Sequence, residues 1–100
     1  MFQVKLTPTA VHAFKKLHPA VKQQLKDALN TLKDNPYSGK QLREELDFFR
    51  SFKIKRYRVI YQIDDKSQHI IVIALGHRRD IYEVATKLLQ YKKKKRPSDD

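Results

Sequence analysis

One hundred residues make one domain with a single core. Such a chain buries about two thirds of its unfolded surface, so two separate domains or a large multi-site enzyme are excluded. With no Cys, a disulfide framework, a thiol nucleophile and a zinc–thiolate site are excluded too. The formal charge of +11 is uneven: residues 1–47 carry 8 basic and 5 acidic groups, net +3, whereas residues 48–100 carry 14 and 6, net +8. A basic second half predicts a polyanionic partner, nucleic acid first and anionic membrane second. No run of 18 apolar residues exists and Met1-Phe2-Gln3-Val4-Lys5 is not a signal peptide, so the expectation is a cytoplasmic protein that does not engage a membrane.

In chain order, Gln3 to Leu6 alternates polar and apolar and reads as a short strand. Thr7-Pro8 starts a helix, with Thr as N-cap and Pro in the first turn, where its missing N–H has no intrahelical partner anyway. Val11, Phe14 and Leu17 mark one face of it. His18-Pro19 interrupts and restarts the helix. Val21, Leu25, Ala28, Leu29 and Leu32 then form one apolar stripe at i, i+4, i+7, i+8 and i+11. Asn35-Pro36-Tyr37-Ser38-Gly39 ends it as a loop. Two helices with so short a break predict a hairpin packed on a sheet.

From Phe48 the period changes to two. Phe52 and Ile54, then Tyr57, Val59, Tyr61 and Ile63, alternate with mostly polar residues. Asp64-Asp65-Lys66-Ser67 is a turn. His69 to Leu75 is nearly all apolar, as for a strand buried on both faces. Asp80 and Glu83 have capping-box spacing and open a last helix with Ile81, Val84, Ala85, Leu88 and Leu89 on its apolar face. Lys92 to Asp100 reads as a basic, flexible tail, leaving residues 1–91 as the domain. The order β-α-α-β-β-β-α is α+β, a small antiparallel meander with a helical hairpin on it. The edge taken by the first strand is not legible.

Two segments carry candidate chemistry. In Lys53-Ile54-Lys55-Arg56-Tyr57-Arg58, a turn centred on Lys55-Arg56 pairs Ile54 with Tyr57, Lys53 with Arg58 and Phe52 with Val59. Lys53 and Arg58 then share the face opposite the apolar one. Like charges directly opposed destabilise a sheet, and an anion between them reverses the sign. The plainer reading is a solvated face, since Lys also guards exposed strands. In Gly76-His77-Arg78-Arg79-Asp80-Ile81-Tyr82, a buried strand ends and a helix begins. Arg78 and Arg79 offer planar forks for phosphate, and Tyr82 a phenol that can donate, accept or stack. The alternative there is Arg79 paired with acids and Tyr82 in the core. His12, His18, His69 and His77 have no ligand spacing, so no metal is expected. Ser38, Ser51, Ser67 and Ser98 have no nucleophile context.

Phe52-Lys53-Ile54-Lys55, Tyr57-Arg58-Val59-Ile60-Tyr61-Gln62-Ile63 and Gly76-His77-Arg78-Arg79-Asp80-Ile81-Tyr82, in that order, resemble the RelE/ParE family of bacterial type II toxins, over roughly residues 1 to 90. The resemblance to the RelE branch implies a metal-independent, cofactor-free endoribonuclease that cuts messenger RNA on the ribosome by 2′-OH attack. It implies catalytic roles for Lys53, Lys55, Arg58, Arg78 and Tyr82. Lys53 and Lys55 supply positive potential or a base, Arg58 and Arg78 hold the phosphate, and Tyr82 orients the 2′-OH or stacks on a base. Arg56, His77, Arg79, Lys92 and Lys93 are the accompanying RNA-binding candidates. The implied partners are a small acidic antitoxin, messenger RNA and ribosomal RNA. Two departures stand out: the hairpin after the Lys-x-Lys pair is tighter than in many relatives, and His77 stands where some have Lys. A ParE-like gyrase inhibitor and a non-catalytic RNA-binding module are the alternatives.

Overall fold

The computed structural model describes residues 2–43, 47–84, 86 and 87. The expected tail, with Lys92 and Lys93, lies outside them, as do Ala85, Leu88 and Leu89 of the last helix. Strand β1 is Gln3–Leu6, helix α1 Pro8–Lys15 and helix α2 Pro19–Asp34, followed by a 3-10 turn at Pro36–Ser38. The remaining strands are β2 (Lys40–Gln41), β3 (Arg50–Ile54), β4 (Tyr57–Asp64) and β5 (His69–His77). Residues 81–84, 86 and 87 are helical. The sheet order is β1-β5-β4-β3-β2. β3, β4 and β5 are the expected antiparallel meander, and β1 joins β5 in parallel, giving a mixed sheet. β2 is an addition: two residues paired to β3 at Lys40↔Ser51 and Gln41↔Arg50, too short to leave an alternation in the sequence.

The helix starts follow their local chemistry. Thr7 Oγ1 accepts from Ala10 N at 3.2 Å and donates to the Ile73 carbonyl at 3.2 Å, so one hydroxyl caps α1 and ties it to β5. His18 caps α2 through Nδ1, which accepts from Ala20 N at 3.1 Å. The hairpin buries Ala10, Leu25 and Leu32 against Val59, Tyr61, Ile70, Val72 and Leu75. Each large side chain buried there stabilises by about 1.5–3 kcal/mol. The apolar face of α1 departs from expectation: Val11 is 36% exposed, and Ala10, Ala13, Phe14 and Leu17 face the core. That is the i, i+3, i+4, i+7 set, and Val11 falls at its margin.

A second, smaller core of Phe49, Ile60, Ile73, Ala74 and Ile81 lies on the other face of the sheet. Ile81 is 1% exposed and anchors the last helix there, whereas Val84, expected on the same apolar face, is 38% exposed. The expected capping box does not form either: Glu83 pairs with Lys87 at 3.2 Å, and the Asp80 carbonyl accepts the first helical bond from Val84 N at 3.1 Å.

The β3–β4 hairpin has the expected two-residue turn and register, Phe52↔Val59, Lys53↔Arg58 and Ile54↔Tyr57. Its first turn residue, Lys55, has φ 53°, the left-handed region that two-residue hairpins require and that favours Gly or Asn. Lys55→Gly is therefore expected to stabilise the fold by about 1 kcal/mol, a rise of about 5 °C in Tm, readable by thermal unfolding.

Candidate functional site

On the face opposite the helical hairpin, Lys53, Arg58 and Gly76 form one row across three strands, through the pairs Lys53↔Arg58 and Arg58↔Gly76. At Gly76 the row ends against the buried Ile81, whose Cδ1 would lie 3.8 Å from a Cβ there, an ordinary contact. Among the described residues no carboxylate pairs with Lys53, Arg58, Arg78 or Arg79, the one ion pair being Glu83–Lys87. The opposed charges on Lys53 and Arg58 are thus uncompensated, as an anion site requires.

Tyr82 follows the buried Ile81 and is set against this row. The Arg58 guanidinium lies over its ring at 5.6 Å. Between them stands Ser51, 4% exposed and, besides Tyr61, the one buried residue with a polar side-chain group among those described. Arg58 Nη1 donates to Ser51 Oγ at 3.5 Å and the Tyr82 hydroxyl donates to it at 3.4 Å. Tyr82 itself is exposed, at 37%, and not part of the core. Ser51 escaped sequence reasoning because nothing around it resembles a nucleophile. Its signal was weak: a small polar residue on the same strand face as Lys53, two positions before it.

The two basic segments meet. Arg78 N donates to the Arg56 carbonyl at 2.8 Å, which fastens the turn after β5 to the tip of the β3–β4 hairpin. Arg56, Arg78 and Arg79 therefore gather at the same end as the Lys53–Arg58 row, all exposed. Lys55 belongs to the hairpin tip, outside the paired row. His77 is placed apart. Its ring meets Tyr57 edge-on at 5.7 Å, on the hairpin face, and its Nδ1 accepts from Arg79 N at 3.2 Å.

The cause is a β-bulge. Ile60 pairs with Ala74 and Tyr61 with Val72, so Ile73 is an extra residue in β5. Val72 and Leu75 thus face the hairpin while Ile73 and Ala74 face away. Without that residue, strict alternation from Val72 would swap the faces of Gly76 and His77.

A third set of groups lies on the hairpin face. Tyr37 donates to both Asp65 oxygens at 3.0 Å, a bond that raises its pKa above the ordinary tyrosine value. Arg50 covers the Tyr37 ring at 5.0 Å and donates to the Gly39 carbonyl at 2.7 Å. A shallow depression of about 190 Å³ is lined by these groups with Asp47 and Phe48. Its two carboxylates do not suit a phosphate. Among the described residues no group of three or more His, Asp or Glu is placed to hold a metal ion, and no helix is long and apolar enough to cross a membrane.

The family model described as "ParE toxin of type II toxin-antitoxin system, parDE" matches residues 4–82. The chain therefore belongs to the RelE/ParE superfamily of toxins from type II toxin–antitoxin systems. It is 34% identical to the toxin RelG of Mycobacterium tuberculosis over 83 residues, covering 81% of this chain and 95% of that one. It is 30% identical to a putative RelE-like toxin protein of Escherichia coli over 93 residues, 89% of this chain and 98% of that one. The fold is similar to that in the toxin–antitoxin complex RelBE2 of Mycobacterium tuberculosis, with a TM-score of 0.72 and 32% identity over 77% of this chain and 98% of that one.

Proposed function

We propose that this toxin is an endoribonuclease that cuts messenger RNA on the ribosome, with no metal or cofactor. The observation that carries the reading is the row of Lys53 and Arg58 beside Tyr82, unpaired with any carboxylate among the described residues and joined to Arg78 through the Arg78–Arg56 backbone bond. In-line attack by a ribose 2′-OH on the adjacent phosphate builds negative charge on the phosphoryl oxygens and on the leaving 5′-oxygen, and leaves a cyclic phosphate. Arg58 holds the phosphoryl oxygens, and Lys53 adds positive potential from the neighbouring strand. Tyr82 orients the 2′-OH or stacks on a base, and Arg78 faces the leaving oxygen. A fixed donor or cation at developing charge is worth about 2–4 kcal/mol, so several acting together supply a large rate effect. Arg56 and Arg79 add phosphate contacts whose strength falls with salt. Lys55, Lys92 and Lys93 join them as RNA contacts in this reading.

The protein works in the cytoplasm in this reading, and its second partner is a small acidic antitoxin. Its relatives include toxins solved in complex with antitoxins. Opposite charge speeds such an association and occupies the groups that hold RNA. The free protein is then toxic and the complex inactive.

Primer extension on transcripts after brief induction tests the nuclease. Wild type is expected to leave cuts at fixed places within codons of translated messages. Lys53→Ala and Arg78→Ala, shown folded by circular dichroism, are expected to reduce them by about 100-fold. Wild-type cuts that persist in both variants would refute the site. A family match named for ParE favours a second reading, a ParE-like poison of DNA gyrase. Arrested growth with intact transcripts and damaged DNA would select it.

A further inference from the structure

Besides Tyr61, Ser51 is the one buried residue with a polar side-chain group among those described, and its hydroxyl bonds only to the two groups that the proposed reaction uses. A buried hydroxyl costs stability unless it is hydrogen-bonded, and an apolar β-branched residue would suit an inward strand position better. Its value therefore lies in what it holds. A guanidinium can only donate, so Arg58 consumes one lone pair of Ser51 Oγ. Ser51 and the Tyr82 hydroxyl share the second hydrogen bond, in which either oxygen can donate. Arg58 belongs to β4 and Tyr82 to the helix after β5, and Ser51 on β3 is the polar group that both reach. The stacking of Arg58 over Tyr82 closes the triangle at 5.6 Å.

We propose that Ser51 is a positioning residue. It anchors the Arg58 guanidinium and the Tyr82 phenol to one point, so that phosphate holder and 2′-OH orienter keep a constant separation. The proposal rests on the nuclease reading. Tyr82 is 37% exposed, so its phenol oxygen meets a 2′-OH on the side away from Ser51. Ser51 does not touch the RNA, and Arg58 keeps its charge without it. Loss of the hydroxyl is therefore expected to act on turnover more than on binding.

The test uses the full chain and ribosomes programmed with a translated message. Ser51→Ala is expected to lower kcat by about 10- to 100-fold, the effect of a small misplacement of reacting groups. KM should stay within about threefold, and Ser51→Thr, which restores a hydroxyl, should recover most of the rate. In a Tyr82→Phe background Ser51→Ala should cost much less, because residues acting as a unit are non-additive. A kcat for Ser51→Ala within twofold of wild type, or fully independent effects of the two substitutions, overturns the proposal. A measurement on the unmutated protein needs no variant to fold: NMR should give slowly rotating, resolved Arg58 Nη signals, and one averaged signal overturns the anchor. Absence of cleavage by wild type would sink the nuclease reading, and the Arg58 signals would then decide the Ser51 anchor alone.

Discussion

Arg58→Ala is expected to lower message cleavage by about 100- to 1,000-fold while the protein stays folded. The two halves of that expectation have different causes. Arg58 is half-buried in the row, where it meets Lys53 across the ladder, Tyr82 by stacking and Ser51 by a hydrogen bond. Removing it forfeits the stacking, worth about 0.5–1 kcal/mol at an exposed site. It also ends the opposition of two like charges, which is destabilising by a similar amount. The two changes nearly cancel, so Tm should move by only a few degrees. The reaction has no such compensation, since the fork at the phosphoryl oxygens is gone. Arg58→Lys should recover little, because an ammonium cannot bond Ser51 and two phosphoryl oxygens in one plane. Quantitative cleavage assays beside thermal unfolding check this. A folded Arg58→Ala that cuts within threefold of wild type would remove Arg58 from the phosphate.

Gly39→Ala is expected to destabilise the fold by about 2 kcal/mol, a fall of about 10 °C in Tm. Gly39 lies where the loop after α2 crosses the buried Tyr61 ring. A Cβ there would strike the Tyr61 hydroxyl, and would lie 2.9 Å from Tyr61 Cε1 and 3.0 Å from the Ser51 carbonyl. The hydroxyl cannot yield cheaply. It donates to the Pro36 carbonyl at 2.6 Å and accepts from Gly39 N at 3.0 Å, and burial raises its pKa above the ordinary value. In a Tyr61→Phe background the further cost of Gly39→Ala should shrink but not vanish, because the ring carbon and the Ser51 carbonyl remain. Additive losses in the double variant would show that the hydroxyl is not what Gly39 makes room for. The Ser51 contact also links this loop to the candidate site, so Gly39→Ala should lower cleavage beyond its effect on the folded fraction.

Much of this was legible in the chain. The Lys53↔Arg58 pairing follows from a two-residue connection between alternating segments, because only one register then keeps Phe52, Ile54, Tyr57 and Val59 on a common face. The Leu25–Ala28–Leu32 stripe of α2 follows from helical period. Thr7 and His18-Pro19 mark their helix starts through side-chain caps within three residues. Each of these is local, and the residues that decide it are neighbours in sequence.

Apart from the Asp80–Glu83 box, which a local Glu83–Lys87 pair replaces, the departures turn on contacts distant in sequence. Val11 against Ala10 was settled by how α1 lies on β5. The placement of His77 beside Tyr57 was settled by one inserted residue, Ile73, whose effect on alternation appears only once β4 and β5 are paired. The Ser51–Tyr82 bond joins residues 31 apart, and the Gly39–Tyr61 bond residues 22 apart. By itself, the sequence determined the order of the elements apart from the short β2, the β3–β4 register, the charge and the superfamily. The tertiary structure alone decided which face each β5 side chain takes and which hydroxyl stands between Arg58 and Tyr82. The reason is physical: caps, stripes and tight turns are satisfied by the chain's own neighbours, whereas bulges and buried polar contacts exist only after separate strands have packed.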